Sequence, residues 1–192
     1  MRRSKFVDKF IEKIYLDEIL DECQFALMAI ESMNSSLNMK EPTASLFFRA
    51  SQDFLQHCGA ISRIIWPPWI RDRAKNLRAQ SRGTHLSSIL GLEDSHALKD
   101  RSLRNLLEHY DESIDDWADT SPNKNIVDKM IIPRRSMIGG SAIREGDLFR
   151  VFETETLTFF FRGSTFNIQL LCEGVQDARQ KVIARSAELD AN

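Results

Sequence analysis

Leu98-Lys99-Asp100-Arg101-Ser102-Leu103-Arg104-Asn105-Leu106-Leu107-Glu108-His109-Tyr110-Asp111-Glu112-Ser113-Ile114-Asp115-Asp116-Trp117-Ala118-Asp119 is the stretch on which the reading of this chain turns. Its apolar residues Leu103, Leu106, Leu107, Tyr110, Ile114 and Trp117 recur at threes and fours, which places them on one stripe of an α-helix. A helix over 96–118 is expected, with Ser95 as its N-cap. At about 100° per residue, His109 falls roughly 110° to one side of that stripe and Arg104 roughly 110° to the other. Asn105 lies one turn before His109 on the same side. These three polar residues flank the core stripe instead of filling it. Such positions can meet a ligand in a groove between helices, or across a two-fold contact where each residue has a second copy.

Working outward, residues 5–33 read as a long amphipathic helix on Phe6, Phe10, Ile14, Leu16, Ile19, Leu20, Cys23, Leu27 and Ile30, ended by Asn34, Ser35 and Ser36. Residues 43–65 read as a second, with Leu46, Phe47, Ala50, Phe54, His57, Cys58, Ile61 and Ile65 inside. Trp66-Pro67-Pro68-Trp69 stops it, because neither proline can donate a helix hydrogen bond. Residues 71–94 suggest a short helix and a loop, with a turn through 86–90. After Pro122 the composition becomes β-rich. Ile126–Ile132, Leu148–Glu153 and Leu157–Arg162 read as strands, the last two joined as a hairpin by Thr154-Glu155-Thr156. Gly163-Ser164 then leads into a final helix over about 166–188 on Ile168, Leu171, Val175, Ala178 and Val182. The expected fold is mainly α: a single domain over 1–192, with a small antiparallel sheet at about 125–163 inserted before the last helix.

Composition excludes several classes. The chain has 192 residues, 42% hydrophobic and 28% charged, enough to bury one core. A net charge of −2 offers no global field for nucleic acid, so such binding needs a local patch. The stretch 71–82, with Arg71, Arg73, Lys75, Arg78 and Arg82 set against Asp72 alone, forms that patch; a solvated basic loop is the plainer reading. Cys23, Cys58 and Cys172 have no metal-ligand spacing and read as small core residues in a reducing compartment. His57 reads as core, and His85 and His96 as loop or cap residues. Phe159-Phe160-Phe161 reads as a packing strand before it reads as a stacking platform. No apolar run approaches the roughly 20 residues that span a bilayer, and the N-terminus is interrupted by charge at every turn. A cytoplasmic protein without metal or cofactor is expected.

Arg104-Asn105-x3-His109 has the form of the ribonuclease motif of HEPN domains, and residues 98–119 resemble the helix that carries it. Phe54-Leu55-Gln56-His57 through Ile61-Ser62-Arg63-Ile64-Ile65-Trp66-Pro67 is similar to the preceding helix of a group of uncharacterised bacterial HEPN-like proteins. The resemblance covers about 5–120 and the final helix, and the sheet is outside the basic bundle. In the antitoxin-paired members a tyrosine stands two places after the histidine; here that place is Asp111, and Tyr110 adjoins His109. Regulation through that tyrosine therefore does not carry over.

The resemblance implies an antiparallel helical bundle, a homodimer, and metal-independent RNA cleavage in a toxin–antitoxin or phage-defence setting, with an antitoxin or other protein partner. It assigns Arg104, Asn105 and His109 as the catalytic centre. A histidine, with its ordinary pKa of about 6.5, can act as general acid or base. An arginine can clamp the phosphate, and Asn105 can orient either. The alternative is a non-catalytic helical dimer that binds a protein or a nucleotide. In that reading Arg104 pairs with Glu108 at i,i+4, and the acidic run Glu108, Asp111, Glu112, Asp115, Asp116 and Asp119 is a solvated face that repels phosphate.

Overall fold

The computed structural model describes residues 9–39, 43–100, 102, 110–139 and 142–191. Helices α1 (Lys9–Leu37), α2 (Ala44–Ile65), α3 (Arg73–Ile89), α4 (Tyr110–Thr120) and α5 (Ile168–Asp190) carry most of the chain. Strands β1 (Met130–Ile132), β2 (Val151–Glu153), β3 (Thr158–Phe161) and β4 (Ser164–Asn167) lie between α4 and α5. The chain is thus mainly helical, with a small sheet before the last helix.

The helical core is built on α1, which packs against both α2 and α5. Leu16, Ile19, Cys23, Ala26, Ala29 and Met33 form its buried line. That line is rotated from the most apolar stripe of the sequence: Phe10 is 70% and Ile14 48% exposed. The small Ala26 and Ala29 are buried while the larger Phe10 and Ile14 are not, so apolarity alone did not choose the face. The helix also outruns its expected end at 33. The Ser36 hydroxyl donates to the Ser32 carbonyl at 2.8 Å and the Asn38 amide to the Asn34 carbonyl at 2.9 Å. Polar residues that usually compete with helical bonding here bond back onto the helix.

Helix α2 matches its expected span and contributes Phe47, Phe48, Phe54, Leu55, Ile61 and Ile65 to the core. Its aromatic end meets the sheet, Phe47 packing on Phe152 at 4.8 Å and Phe48 on Phe159 at 6.2 Å between ring centroids. Phe159 and Phe161 face the helices, whereas Phe160 joins Val127, Ile132, Leu148 and Val151 in a second cluster on the other face. Strand alternation puts i and i+2 on one side and i+1 on the other. All three phenylalanines are buried, so the run is a packing strand.

The sheet order is β1-β2-β3-β4, and it is mixed, not antiparallel throughout. Strand β1 pairs with β2 in parallel, and the other two pairings are antiparallel. Parallel neighbours need a crossover connection, which the chain between Ile132 and Val151 provides. Strand β4 was not expected. Phe161 pairs with Ser164 across Arg162 and Gly163, whose φ values of 49° and 81° are both positive. Two positive φ values make a primed hairpin turn, whose usual residues are Asn, Asp or Gly, so Arg-Gly gave only half the signal. Arg162 is held there by its bond to the Gly146 carbonyl at 2.6 Å, its ion pair with Asp116 and its place over the Phe149 ring.

Helix α4 leans on the sheet through Tyr110, which meets Phe149 and Phe161, and Trp117, which meets Phe149. Ile114 is 40% exposed and leaves the expected stripe. The Trp117 indole and the Ser121 hydroxyl both donate to buried Asp147, whose other oxygen accepts the Arg144 backbone N–H. The start of the expected 96–118 helix is instead a 3-10 turn, Ala97–Lys99, capped by His96 and not by Ser95. The imidazole accepts the Leu98 N–H, which satisfies the turn locally. Residues 101 and 103–109 lie outside the described residues.

Candidate functional site

The chain leaves α2 through Trp66-Pro67-Pro68-Trp69 and enters α3 at an Asp72 cap, whose carboxylate accepts the Lys75 N–H at 2.9 Å. Residues 73–89 form one continuous helix, not the expected short helix, loop and turn. The sequence concealed this because only Ala79, Gly83 and Leu86 of α3 are buried, too few to write an apolar period. Polar tethers hold it instead. The Arg82 guanidinium donates to the Ile64 and Arg63 carbonyls, each at 3.2 Å, satisfying the open end of α2. The same group lies 5.2 Å from the centre of the Tyr15 ring. The Gln80 amide donates to the Pro67 carbonyl at 3.1 Å, and the Ile70 N–H donates to the Asn76 side-chain oxygen at 2.9 Å. Gly83 lets the backbones touch: a Cβ there would lie 2.5 Å from Pro67 Cδ and 2.7 Å from the Ile65 carbonyl oxygen.

Between these walls opens a cleft of about 820 Å³. Arg63, Trp66 and Trp69 line one side, Asn76, Gln80, Thr84 and Ser87 the other, and Asp94 and Lys99 the end. Trp66 turns inward onto the His96 ring at 5.4 Å. Trp69 turns outward and is 74% exposed. Lys99 is paired with Asp94 at 2.5 Å. Behind Trp66, the His96 Nε2 lies 3.4 Å from Asp177 of α5. Burial pulls the His96 pKa below its ordinary value, against the raising effect of Asp177.

Of the expected basic patch, Arg71, Arg73, Lys75 and Arg78 face solvent, and none forms an ion pair with another described residue, whereas Arg82 is half-buried and engaged at the end of α2. The helix divides them, however. At about 100° per residue, Arg73 falls within roughly 40° of Gln80 and Ser87 on the cleft side, while Arg78 points almost directly away. Arg104, Asn105 and His109 lie outside the described residues. Lys99 on the cleft wall and Tyr110 at the head of α4 flank them in sequence.

Other titratable residues have structural employment. His85 belongs to α3, not to a loop, and its Nε2 lies 2.9 Å from Glu12. Glu12, 6% exposed, also accepts from Arg185 Nε at 2.7 Å, so the carboxylate ties α1 to α3 and α5. Burial acts to raise the Glu12 pKa, but Arg185 and His85 together hold it below the ordinary value. His57 is half-buried against Glu22 at 2.7 Å, more exposed than a core residue. Cys23 and Cys58 are core, and Cys172 is half-buried. Burial pushes the Cys23 thiol up to about 12 and the Cys58 thiol well above its ordinary value. Among the described residues, no group of three or more His, Cys, Asp or Glu side chains converges to hold a metal ion, and no helix is long and apolar enough to cross a membrane.

In the sequence Trp66–Trp69 reads only as a helix stop, and nothing in it marks Trp69, Asn76 and Gln80 as cleft residues. No protein-family model, curated protein or solved structure matches the chain.

Proposed function

We propose that this chain is a metal-independent endoribonuclease of HEPN type, built on an antiparallel helical bundle and working as a homodimer, with Arg104, Asn105 and His109 as its catalytic centre. The observation that carries the reading is the Arg104-Asn105-x3-His109 spacing itself. The cations around the start of α3, which form no ion pair with another described residue, support it, because RNA binding by a chain of net charge −2 requires a local patch. Exposed apolar side chains on α1 and α2, namely Phe25, Met28 and Leu46, support a second copy as partner. A role in toxin–antitoxin or phage defence, with a protein antitoxin, belongs to the same proposal.

In this chemistry one histidine takes the proton of the ribose 2′-hydroxyl, which attacks the adjacent phosphate. Arg104 stabilises the charge on the pentacoordinate oxygens, and the partner copy's histidine protonates the leaving 5′-oxygen. The products are a 2′,3′-cyclic phosphate and a free 5′-hydroxyl.

The test is cleavage of several RNAs by the purified protein in EDTA, beside His109→Ala, with the mass of both measured by light scattering. Cutting that survives chelation and is lost in a folded His109→Ala dimer is expected. Absence of cutting by a folded dimer would overturn the nuclease reading and leave the non-catalytic helical dimer.

A further inference from the structure

We propose that the cleft between Trp66-Pro67-Pro68-Trp69 and α3 is a binding site for an unpaired nucleobase and its phosphate, with Trp69 as the stacking platform. This deepens the RNA reading above, and it rests on that reading only for the choice of a strand as the source of the base.

The first ground is the cost of Trp69. A tryptophan left 74% exposed forfeits most of the stabilisation that burial of its large ring would bring. Among the described residues it stacks on no ring and no cation. Its loop is nevertheless held on both sides. Two prolines fix its backbone, Gln80 and Asn76 bind its carbonyl and amide groups, and Gly83 seats Pro67 against α3. A rigid loop that presents a flat aromatic face to solvent is preorganised to stack, and loses little entropy when it does.

The second ground is the lining. The cleft has the volume of a small-molecule site and is not a purely apolar groove. Gln80 uses its amide nitrogen on Pro67, which leaves its side-chain oxygen as an acceptor. Asn76 accepts from Ile70 and retains its two amide N–H donors. Thr84 and Ser87 add hydroxyls one and two turns further along the same face. Facing donors and acceptors of this kind read the edge of a base whose face lies on Trp69. Arg63 on the wall places a cation beside the cleft, and helix phase puts exposed Arg73 on the same side of α3, the positive charge that a phosphate needs. Acidic Asp94 is already paired with Lys99 and so repels a phosphate only weakly. Stacking tolerates any base but requires one that is unpaired, so the site selects single strands over duplexes.

The test uses fluorescence anisotropy with a labelled single-stranded hexaribonucleotide, the same sequence as a duplex, and tryptophan quenching by AMP and UMP. The His109→Ala background prevents cutting during the titration. The single strand is expected to bind better than the duplex, and Trp69→Ala is expected to weaken binding about tenfold or more, the loss typical of one stacked base. Because Trp69 is exposed, that variant keeps its circular dichroism and melting temperature. Gln80→Ala is a second variant, expected to weaken binding and to change the preference between AMP and UMP. Saturation by AMP or UMP as tight as the hexamer identifies a free nucleotide as the source of the same chemistry. Equal binding by Trp69→Ala, duplex binding equal to that of the single strand, or no binding of any probe would overturn the inference. Cleavage that persists unchanged in Trp69→Ala sinks this site and leaves the nuclease standing. Trp69-dependent binding without cleavage does the reverse.

Discussion

Replacing Gly83 by alanine sets two opposed effects against each other, and the structure decides the sign. In an ordinary helix interior the change stabilises by about 0.5–1 kcal/mol, because glycine loses more backbone entropy on folding. At Gly83 the new methyl carbon would lie 2.5 Å from Pro67 Cδ and 2.7 Å from the Ile65 carbonyl oxygen. Neither neighbour is the end of a flexible side chain. Pro67 is held through its own carbonyl by Gln80, and Ile65 ends a helix whose carbonyls at Ile64 and Arg63 are bound by Arg82. Relief requires α3 to move off α2, an overpacking penalty of about 1–3 kcal/mol. The net expectation is a loss of up to about 2.5 kcal/mol, about 1 kcal/mol at the middle of both ranges, or a fall in melting temperature of roughly 2–4 °C at that middle value for a domain of this size.

Gly174→Ala in α5 is the internal control. There the added carbon meets Ala97, His96 and Leu98 side chains at 3.4 Å, an ordinary contact. That variant is expected to be neutral or stabilised by up to about 1 kcal/mol. Urea and thermal unfolding followed by far-ultraviolet circular dichroism measure both. If the two variants move together, or if Gly83→Ala is the more stable, the contact between α2 and α3 is not a rigid junction. The shape of the cleft would then be open to revision.

Other outcomes follow from the same geometry. Glu12→Gln leaves Arg185 and His85 without their buried carboxylate and is expected to cost about 2–3 kcal/mol at neutral pH. Because the folded-state pKa of Glu12 lies below its unfolded value, its stabilisation is present above that unfolded value, about 4.3, and fades as pH falls through the folded one. Stability measured from neutral pH down to the acid limb would therefore converge for the two proteins, and a constant gap would contradict the assignment. The cysteines offer a chemical check. Cys23 and Cys58, buried and with raised pKa values, are expected to resist a thiol reagent until the protein unfolds, with half-buried Cys172 reacting first. Rapid modification of all three in the native state would mean that the core opens around α1 and α2.

Periodicity and end signals identified α2, α5 and the β2–β3 hairpin, because their buried residues repeat at the spacing of their elements and their ends are marked by Pro67-Pro68, Gly163-Ser164 and the polar turn at 154–156. It also supplied the motif at Arg104, Asn105 and His109, which is a matter of residue type and spacing. Tertiary structure decided what such patterns leave open. Helix α3 has no apolar period and exists through side-chain bonds to the end of α2. The buried face of α1 takes in the small Ala26 and Ala29 and leaves Phe10 and Ile14 outside. The parallel pairing of β1 with β2 depends on where a connection of irregular chain crosses, which no local residue records. Trp69 shows the difference most directly. Its sequence neighbours mark it only as the end of a helix stop. Its exposure, its rigid loop and the polar wall opposite arise when residues well apart in the chain meet, so only the folded molecule makes it a site.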